Sequence, residues 1–228
     1  MLINDTFENL DLKKKNRIIN AALQEFSEEG YERASTNRIV KAAGIGKGML
    51  FYYFQNKQSL YHYLLNYSLD LTLNDFLDRI DTSEKDFINR MYQIARLKVK
   101  LFAAHPSIMY FLSSFMLEKE ITLPDDINEK FHKLQTLGYS KMYEDIDYSL
   151  FRQDIDPAKA FQLIQWSIDG YQEELKQRLI GKNVHSIHFE QYWQEFYDYL
   201  SVLRTAFYHK EEGKYDNIAS ESSDKEVW

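Results

Sequence analysis

The chain has 228 residues, no cysteine, a formal net charge of −7, and only 8 glycines and 3 prolines. The absence of cysteine excludes a disulfide framework, a thiolate zinc site and a cysteine nucleophile. No apolar run approaches the roughly 20 residues that span a bilayer, and the first residues lack the apolar core of a signal peptide. Because the few glycines and prolines are spread over long amphipathic runs, we expect an all-α protein. We also expect it to be cytoplasmic and to have no membrane-spanning segment.

The first predicted helix runs from about Asp11 to Glu29 and stops at Gly30. It lies in the basic part of an acidic chain. Between positions 11 and 63 there are nine basic and five acidic residues, a net charge of +4, so the rest carries −11. Because salt confines each charged patch to its own neighbourhood, this end of the protein can still attract a polyanion.

Two short helices separated by a glycine turn follow. The hydroxyl of Ser35 is expected to cap a helix over residues 36–43, which Gly44 ends in a left-handed conformation. A second helix is predicted over 47–54, and Asn56 is expected to cap the next one. This order is typical of a helix-turn-helix. The side chains that the second helix is expected to present outward are Lys47, Met49, Tyr52 and Tyr53.

This segment resembles the DNA-binding domain of the TetR (tetracycline repressor) family of bacterial transcription regulators. The family pattern is a Gly-aromatic pair, a small or hydroxyl residue and a hydrophobic residue, followed by A-G-hydrophobic-S-x-G-x-L-Y-x-Y/H-F-x-x-K-x-x-L. Gly46 departs from it by replacing the usual Ser or Thr cap, and Phe51 replaces the usual Tyr. Beyond about position 73 the resemblance is architectural only. The matching residues are Gly30, Tyr31, Ser35, Ile39, Ala43, Gly44, Ile45, Gly48, Leu50, Tyr53, Phe54, Lys57 and Leu60.

The resemblance and the helix pattern together predict about nine helices in two domains. A three-helix DNA-binding domain is expected over residues 1–56, an effector-binding and dimerisation domain over 57–210, and a polar tail over 211–228. Lys47 and Tyr52 are expected to reach base edges or adjacent phosphates, and Gly48 to let the backbone approach. As at matching family positions, Arg38, Tyr53 and Lys57 are expected to clamp phosphates. The predicted DNA-binding residues are Ser35, Thr36, Arg38, Lys47, Gly48, Met49, Tyr52, Tyr53 and Lys57.

Long amphipathic helices fill the rest of the chain. The first runs from Lys57 to about Arg79 and joins the two domains without a flexible linker. Ser83 with Asp86 resembles a capping box for a helix that stops before Pro106. A helix over 108–119 is apolar nearly all round, which predicts burial. Further helices are predicted over 124–148, 157–180 and 187–210.

The last two helices carry apolar stripes at alternating three- and four-residue spacing, which favours shallow helix–helix packing. We expect them to pair with the same helices of a second copy. Two-fold symmetry would then present two recognition helices to successive major grooves of a palindromic operator, about 34–36 Å apart. The predicted interface residues are Ile168, Leu175, Phe196, Leu200 and Leu203.

Aromatic residues are abundant, with 17 Tyr, 15 Phe and 3 Trp. Tyrosine combines an apolar face with a hydroxyl, which fits either an effector pocket or a broad dimer surface. Asp169, next to Gly170 in an amphipathic helix, either faces a ligand or points to solvent. We expect a mostly apolar or aromatic small-molecule effector. The candidate pocket residues are Met91, Phe102, Met109, Phe115, Trp166 and Asp169.

Signals for catalysis or metal binding are weak. The glycines at 44, 46 and 48 lack the lysine-serine ending and the preceding strand of a phosphate-binding loop. His185 and His188 are interpreted as a surface pair rather than metal ligands. We predict no catalytic residue, no metal and no cofactor. The predicted function is a ligand-responsive transcriptional repressor whose partners are double-stranded DNA, a second copy and an effector. Two alternatives stay open: an interaction protein that acts through its acidic body, and a helical-bundle enzyme.

Overall fold

The computed structural model describes residues 5–118 and 123–209. These residues confirm the all-α prediction, and no helix among them is long and apolar enough to cross a bilayer. The predicted tail over 211–228 lies outside the described residues. The helices are α1 (Asp5–Glu8), α2 (Leu12–Arg33), α3 (Thr36–Ala43), α4 (Lys47–Phe54), α5 (Lys57–Leu71), α6 (Phe87–Ala104), α7 (Pro106–Leu117), α8 (Asp125–Tyr143), α9 (Pro157–Leu179) and α10 (Phe189–Phe207).

Side-chain caps begin several of these helices. The carboxylate of Asp156 accepts the N–H groups of Ala158 and Lys159, and Pro157 occupies the first position of α9. Asn56 caps α5 as predicted. At α6 the cap is Asp86, which accepts the N–H of Asn89 at 3.1 Å, and not the predicted Ser83. Each cap satisfies an N–H that the helix itself leaves without a partner.

Helix α5 continues past its regular end. Residues Thr72–Phe76 form a π-helical turn and Leu77–Arg79 a 3₁₀ turn, so the helical path reaches Arg79 as predicted. The two turns widen and then tighten the backbone relative to an α-helix. The larger of two apolar clusters extends from Phe7 in α1 to Tyr208 after α10, and a smaller one gathers Leu179, Val184 and Ile187. The predicted DNA-binding unit, described from residue 5 to 56, and the helical body that follows it from residue 57 therefore share packed side chains.

Helix α7 packs along α2, but it is less buried than its composition predicts. Only Ile108 and Phe111 are fully buried, and Met116 remains 46% exposed. The expectation that α7 would be surrounded on all sides is wrong, because one face packs against α2 while the opposite face lies at the surface of the chain.

A buried arginine joins the start of α6 to the end of α8. The side chain of Arg90 is fully buried, and its guanidinium donates hydrogen bonds to the carbonyl oxygens of Glu84 at 2.8 Å and Glu144 at 2.7 Å. A further donated bond reaches the carbonyl of Lys141 at 3.3 Å. A buried cation is tolerated here because backbone oxygens take up its N–H donors.

Candidate DNA-binding interface

Helices α3 and α4 form the helix-turn-helix with the predicted bounds. Gly44 ends α3 with a φ of 64°, in the left-handed region that favours glycine. The N–H of Ile45 donates to the carbonyl oxygen of Val40 at 3.1 Å, which closes the turn. Ile45 itself is half-buried and packs against the core.

Helix α4 places four of the predicted contact residues on one exposed surface. Lys47 and Gly48 are exposed, and no atom lies within 4 Å of the position that a Cβ of Gly48 would occupy. Met49 is 38% exposed and Tyr52 is 59% exposed. The outward face therefore offers an ammonium, an aromatic hydroxyl, a thioether and a backbone that another molecule can approach closely.

Tyr53 does not join this surface. Its side chain is 3% exposed, and its ring lies 5.4 Å from the ring of Phe7. The prediction that Tyr53 clamps a phosphate is wrong in this structure. One residue along a helix is a rotation of about 100°, which turns Tyr53 away from Tyr52 and toward the core.

Helix α1, which was not predicted from the sequence, packs against α4, the second helix of the helix-turn-helix. Phe7 is fully buried, with its ring 4.5 Å from that of Phe54 and 5.3 Å from that of Tyr63. The hydroxyl of Thr6 lies 3.5 Å from that of Tyr52, so α1 also contacts the exposed face of α4. A lone aromatic in a four-residue helix gives too little periodicity to be recognised.

The start of α3 is held by a buried carboxylate from α2. Ser35 makes no side-chain cap, so that prediction is wrong; its N–H instead donates to Oε1 of Glu25 at 2.7 Å. The same carboxylate pairs with the Arg38 guanidinium at 2.6 Å. The Arg38 side chain stays 53% exposed, so Glu25 orients it while it still faces solvent. Thr36 is partly exposed beside it.

The ammonium of Lys57 is hydrogen-bonded within the protein. Its ammonium donates to the carbonyl oxygens of Tyr31 at 2.8 Å, Glu32 at 3.0 Å and Ala34 at 3.4 Å. It also lies 4.8 Å from the centre of the Tyr31 ring. All three N–H donors of the ammonium are used, so the expected phosphate clamp is corrected to a tie between α5 and the end of α2.

Comparison with known proteins agrees with this geometry. The family model for bacterial regulatory proteins of the tetR family matches residues 18–64, which cover the helix-turn-helix. This match places the helix-turn-helix unit of the chain in the TetR family. The chain is accordingly a DNA-binding, helix-turn-helix transcriptional regulator and not a helical-bundle enzyme.

Relatives of this TetR family regulator include an HTH-type transcriptional regulator of Staphylococcus aureus (strain USA300). The two are 28% identical over 152 residues, which are 66% of this chain and 74% of the relative. Among solved structures, the TetR family protein CprB from S. coelicolor A3(2) is similar with a TM-score of 0.62 and 16% identity, over 93% of this chain and 98% of that chain. A TetR family regulator from Chloroflexus aurantiacus J-10-FL gives 0.58 and 18%, over 92% and 100%. At these identities the structures show a common fold.

The predicted effector residues of this TetR family regulator do not converge on one pocket. Trp166 is 63% exposed, and the exposed Asp169 accepts a hydrogen bond from the Tyr143 hydroxyl at 3.1 Å. Phe102 packs against Tyr110 and Phe189, and Phe115 against Phe131. Met91 is buried and Met109 is half-buried. As placed in the described chain, these six residues do not line one cavity, because Trp166 and Asp169 on α9 are exposed while Met91 lies in the core.

The predicted dimer residues are also placed differently. Ile168, Leu200 and Leu203 are buried within their own chain, so their assignment to an interface is wrong. Leu175 and Phe196 are half-buried. The outward face of α9 and α10 carries other large apolar side chains, which we call the α9/α10 apolar face. Its members and their exposed fractions are Leu163 (45%), Trp166 (63%), Tyr199 (48%) and Val202 (63%).

Proposed function

We propose that this TetR family regulator is a ligand-responsive repressor that works in the cytoplasm and binds a palindromic operator as a homodimer. The observation that carries the DNA-binding part is the exposed surface of α4, with Lys47, Gly48, Met49 and Tyr52 side by side. A glycine beside an ammonium and an aromatic hydroxyl suits a helix that must enter a major groove.

Two kinds of contact are expected from this unit. The four exposed α4 residues would contact base edges and nearby phosphates. Ser35, Thr36 and the Glu25-oriented Arg38 would hold the backbone at the start of α3. Exposed Arg17 and Lys41 add positive charge on the same unit. Specific affinity would therefore come from α4, and a salt-dependent part from the surrounding cations.

The α9/α10 apolar face supports the dimer. It exposes four large apolar side chains on two helices, and exposed apolar surface of this kind is typical of association sites. Two copies of α9 and α10 would form a four-helix bundle about a two-fold axis, since a closed dimer buries the same patch on both subunits. The two α4 helices would then face successive major grooves, about 34–36 Å apart.

Ligand response is the third part of the proposal. The effector is expected to be a mostly apolar or aromatic small molecule that favours a conformation unable to bind the operator. To shift a regulator from almost fully able to bind DNA to almost fully unable, the ligand must bind the second conformation about 5.5 kcal/mol more tightly than the first. The π-helical and 3₁₀ turns that end α5 break its regular geometry between the DNA-binding unit and the body, which suits a segment that changes shape.

The test is binding of the purified protein to the DNA upstream of its own gene, measured by fluorescence anisotropy. We expect tight binding to that duplex relative to a scrambled duplex of equal length. Lys47→Ala should weaken specific binding by roughly tenfold, a loss of ~1.4 kcal/mol. Lys133→Ala on α8, which removes an exposed ammonium elsewhere, should change little. Equal affinity for both duplexes would contradict the proposal, and higher reporter expression after deletion of the gene would identify a repressor.

A further inference from the structure

A cleft of 770 Å³ lies at one side of the junction between the DNA-binding unit and the helical body. It is bordered by the end of α2, the start of α5, the end of α7 and the loop that follows α9. None of the proposed DNA contacts lines it. Pockets for small organic ligands are typically about 300–1,000 Å³, so the volume is suitable for one.

Glu118, at the end of α7, brings a carboxylate into this cleft. Its Oε1 accepts the N–H of Tyr31 at 3.1 Å, and its Oε2 accepts the hydroxyl of Tyr61 at 3.5 Å. No cationic group of the described residues lies within 4.0 Å of it. Burial, together with the Glu118 carboxylate, raises the pKa of Tyr61 well above its usual value, so Tyr61 stays a neutral donor. A half-buried carboxylate held only by neutral donors still has lone pairs for a cation.

His62 is a second polar group at the wall of the cleft. Its side chain borders the cleft, the residue is only 8% exposed, and within the described ranges it makes no hydrogen bond or ion pair. Burial lowers the pKa of its imidazole, an effect that the Asp126 carboxylate opposes. The imidazole is therefore neutral near pH 7 and offers one donor and one acceptor. An imidazole at the wall of a cleft, with no hydrogen-bond partner among the described residues, is available to hydrogen-bond a ligand.

We propose that this interdomain cleft is a binding site for a small organic amine. The protonated nitrogen pairs with Glu118, and His62 hydrogen-bonds a polar group of the ligand. The apolar part lies against Tyr61, Leu117 and Val184, which also line the cleft. The charge of the rim favours a cation over an anion, because Glu28, Glu29 and Glu32 outnumber Arg33 and Lys182 there.

The site also has a direct route to the DNA-binding unit. Gly30, with a φ of 72°, interrupts α2 just before α3, and Oε1 of Glu118 lies 2.7 Å from the position of a Gly30 Cβ. Only glycine both adopts this backbone and lets the carboxylate pack on it. An amine that draws Glu118 away from the Tyr31 N–H releases this contact, which frees the kink that leads into the helix-turn-helix. This last step rests on the proposed ligand response, whereas amine binding does not.

Calorimetric titration of the full-length protein tests the site. The probes are tryptamine, phenethylamine and spermidine, with tryptophol as the neutral counterpart of tryptamine. We expect at least one amine to bind with a Kd below roughly 1 mM, and tryptophol to bind at least about tenfold more weakly than tryptamine. Glu118→Gln should weaken amine binding by at least about tenfold, while the control Glu190→Gln, on an exposed part of α10, leaves it unchanged.

A second variant guards against loss of folding in Glu118→Gln. Ser114→Trp places bulk at the cleft with Glu118 intact, and it should abolish amine binding while thermal unfolding stays cooperative. The proposed site is overturned if no amine binds with a Kd below about 1 mM, or if either variant binds as tightly as the wild type while remaining folded.

Fluorescence anisotropy with the upstream duplex then tests the coupling between amine binding and DNA binding. Amine binding that leaves DNA affinity unchanged would overturn the coupling, and a failure to recognise the DNA at all would contradict the proposed function and leave the calorimetry standing.

Discussion

The DNA-binding unit and the last two helices of the body complete their cores in different ways. Helix α4 directs Leu50, Tyr53 and Phe54 inward and leaves a mixed surface outside, in which a glycine and a lysine are exposed. Helices α9 and α10 bury one apolar row and expose another, with Trp166 and Val202 each 63% exposed. The exposed surface of α4 suits a polyanion, which is bound through hydrogen bonds and positive charge. The α9/α10 apolar face is left uncovered in a single chain and suits contact with another protein surface.

Charged side chains inside both parts of the molecule hold backbone groups in place. In the DNA-binding unit, Glu25 and Lys57 hydrogen-bond to the backbone at the ends of helices, so they position the proposed DNA-binding surface without belonging to it. In the body, Arg90 does the same for α6 and α8. Charged residues close to a binding helix are therefore not all contacts. Four substitutions test the contrast between the DNA-binding unit and the α9/α10 apolar face.

The largest effect is expected from Phe7→Ala. Removing a fully buried aromatic ring should lower the free energy of unfolding by about 3–5 kcal/mol, because the cavity opens between α1, α4 and α5. Urea unfolding followed by circular dichroism measures this loss. The control Leu12→Ala truncates a side chain that is 74% exposed and should cost less than about 0.5 kcal/mol. Equal, small losses for both variants would show that α1 is dispensable to the unit.

Trp166→Glu should break the proposed dimer. A carboxylate at this position would meet its symmetry mate in a desolvated interface, and we expect the dimer dissociation constant to rise by about 100-fold. Sedimentation velocity would detect a folded monomer. Met116→Glu, at an exposed apolar position on α7, should leave the assembly intact. A Trp166→Glu protein that sediments like the wild type would remove the α9/α10 apolar face from the interface.

Lys57→Ala should act on stability first. It removes three hydrogen bonds to carbonyl oxygens at the end of α2, so the free energy of unfolding should fall by about 1–2 kcal/mol. Lys41→Ala, an exposed lysine on α3, serves as the control in the same unfolding assay. The salt dependence of DNA binding distinguishes the two roles. A salt slope reduced by about one unit with unchanged stability would restore Lys57 as a phosphate contact.

The smallest effect is expected from Gly46→Ser at the start of α4. Gly46 has a φ of −75° and no atom within 4 Å of a Cβ position, so serine fits without strain. A hydroxyl cap should leave stability unchanged or raise it by a few tenths of a kcal/mol. Thermal unfolding of the two proteins in parallel measures the difference. A loss above about 1 kcal/mol would mean that serine cannot adopt this N-cap geometry.

Much of the fold could be predicted from local signals alone. The turn at Gly44, the cap at Asn56 and the start of α9 at Asp156 lie where expected, because each depends on hydrogen bonds or backbone freedom within a few residues. The helix-turn-helix is short enough for such signals to define its shape. Its exposed residues Lys47, Gly48, Met49 and Tyr52 were accordingly found together.

Tertiary structure decided which helix faces remain exposed and which distant residues meet. An amphipathic stripe marks an apolar face, but α9 and α10 have two such faces, and periodicity cannot tell which one the chain itself buries. That is why Ile168 and Leu200 are core residues while Trp166 is exposed. The contact between Tyr31 and Glu118 joins residues 87 positions apart and exists only because α7 packs along α2. Contacts of this kind arise from the assembly of helices and leave no local pattern in the sequence.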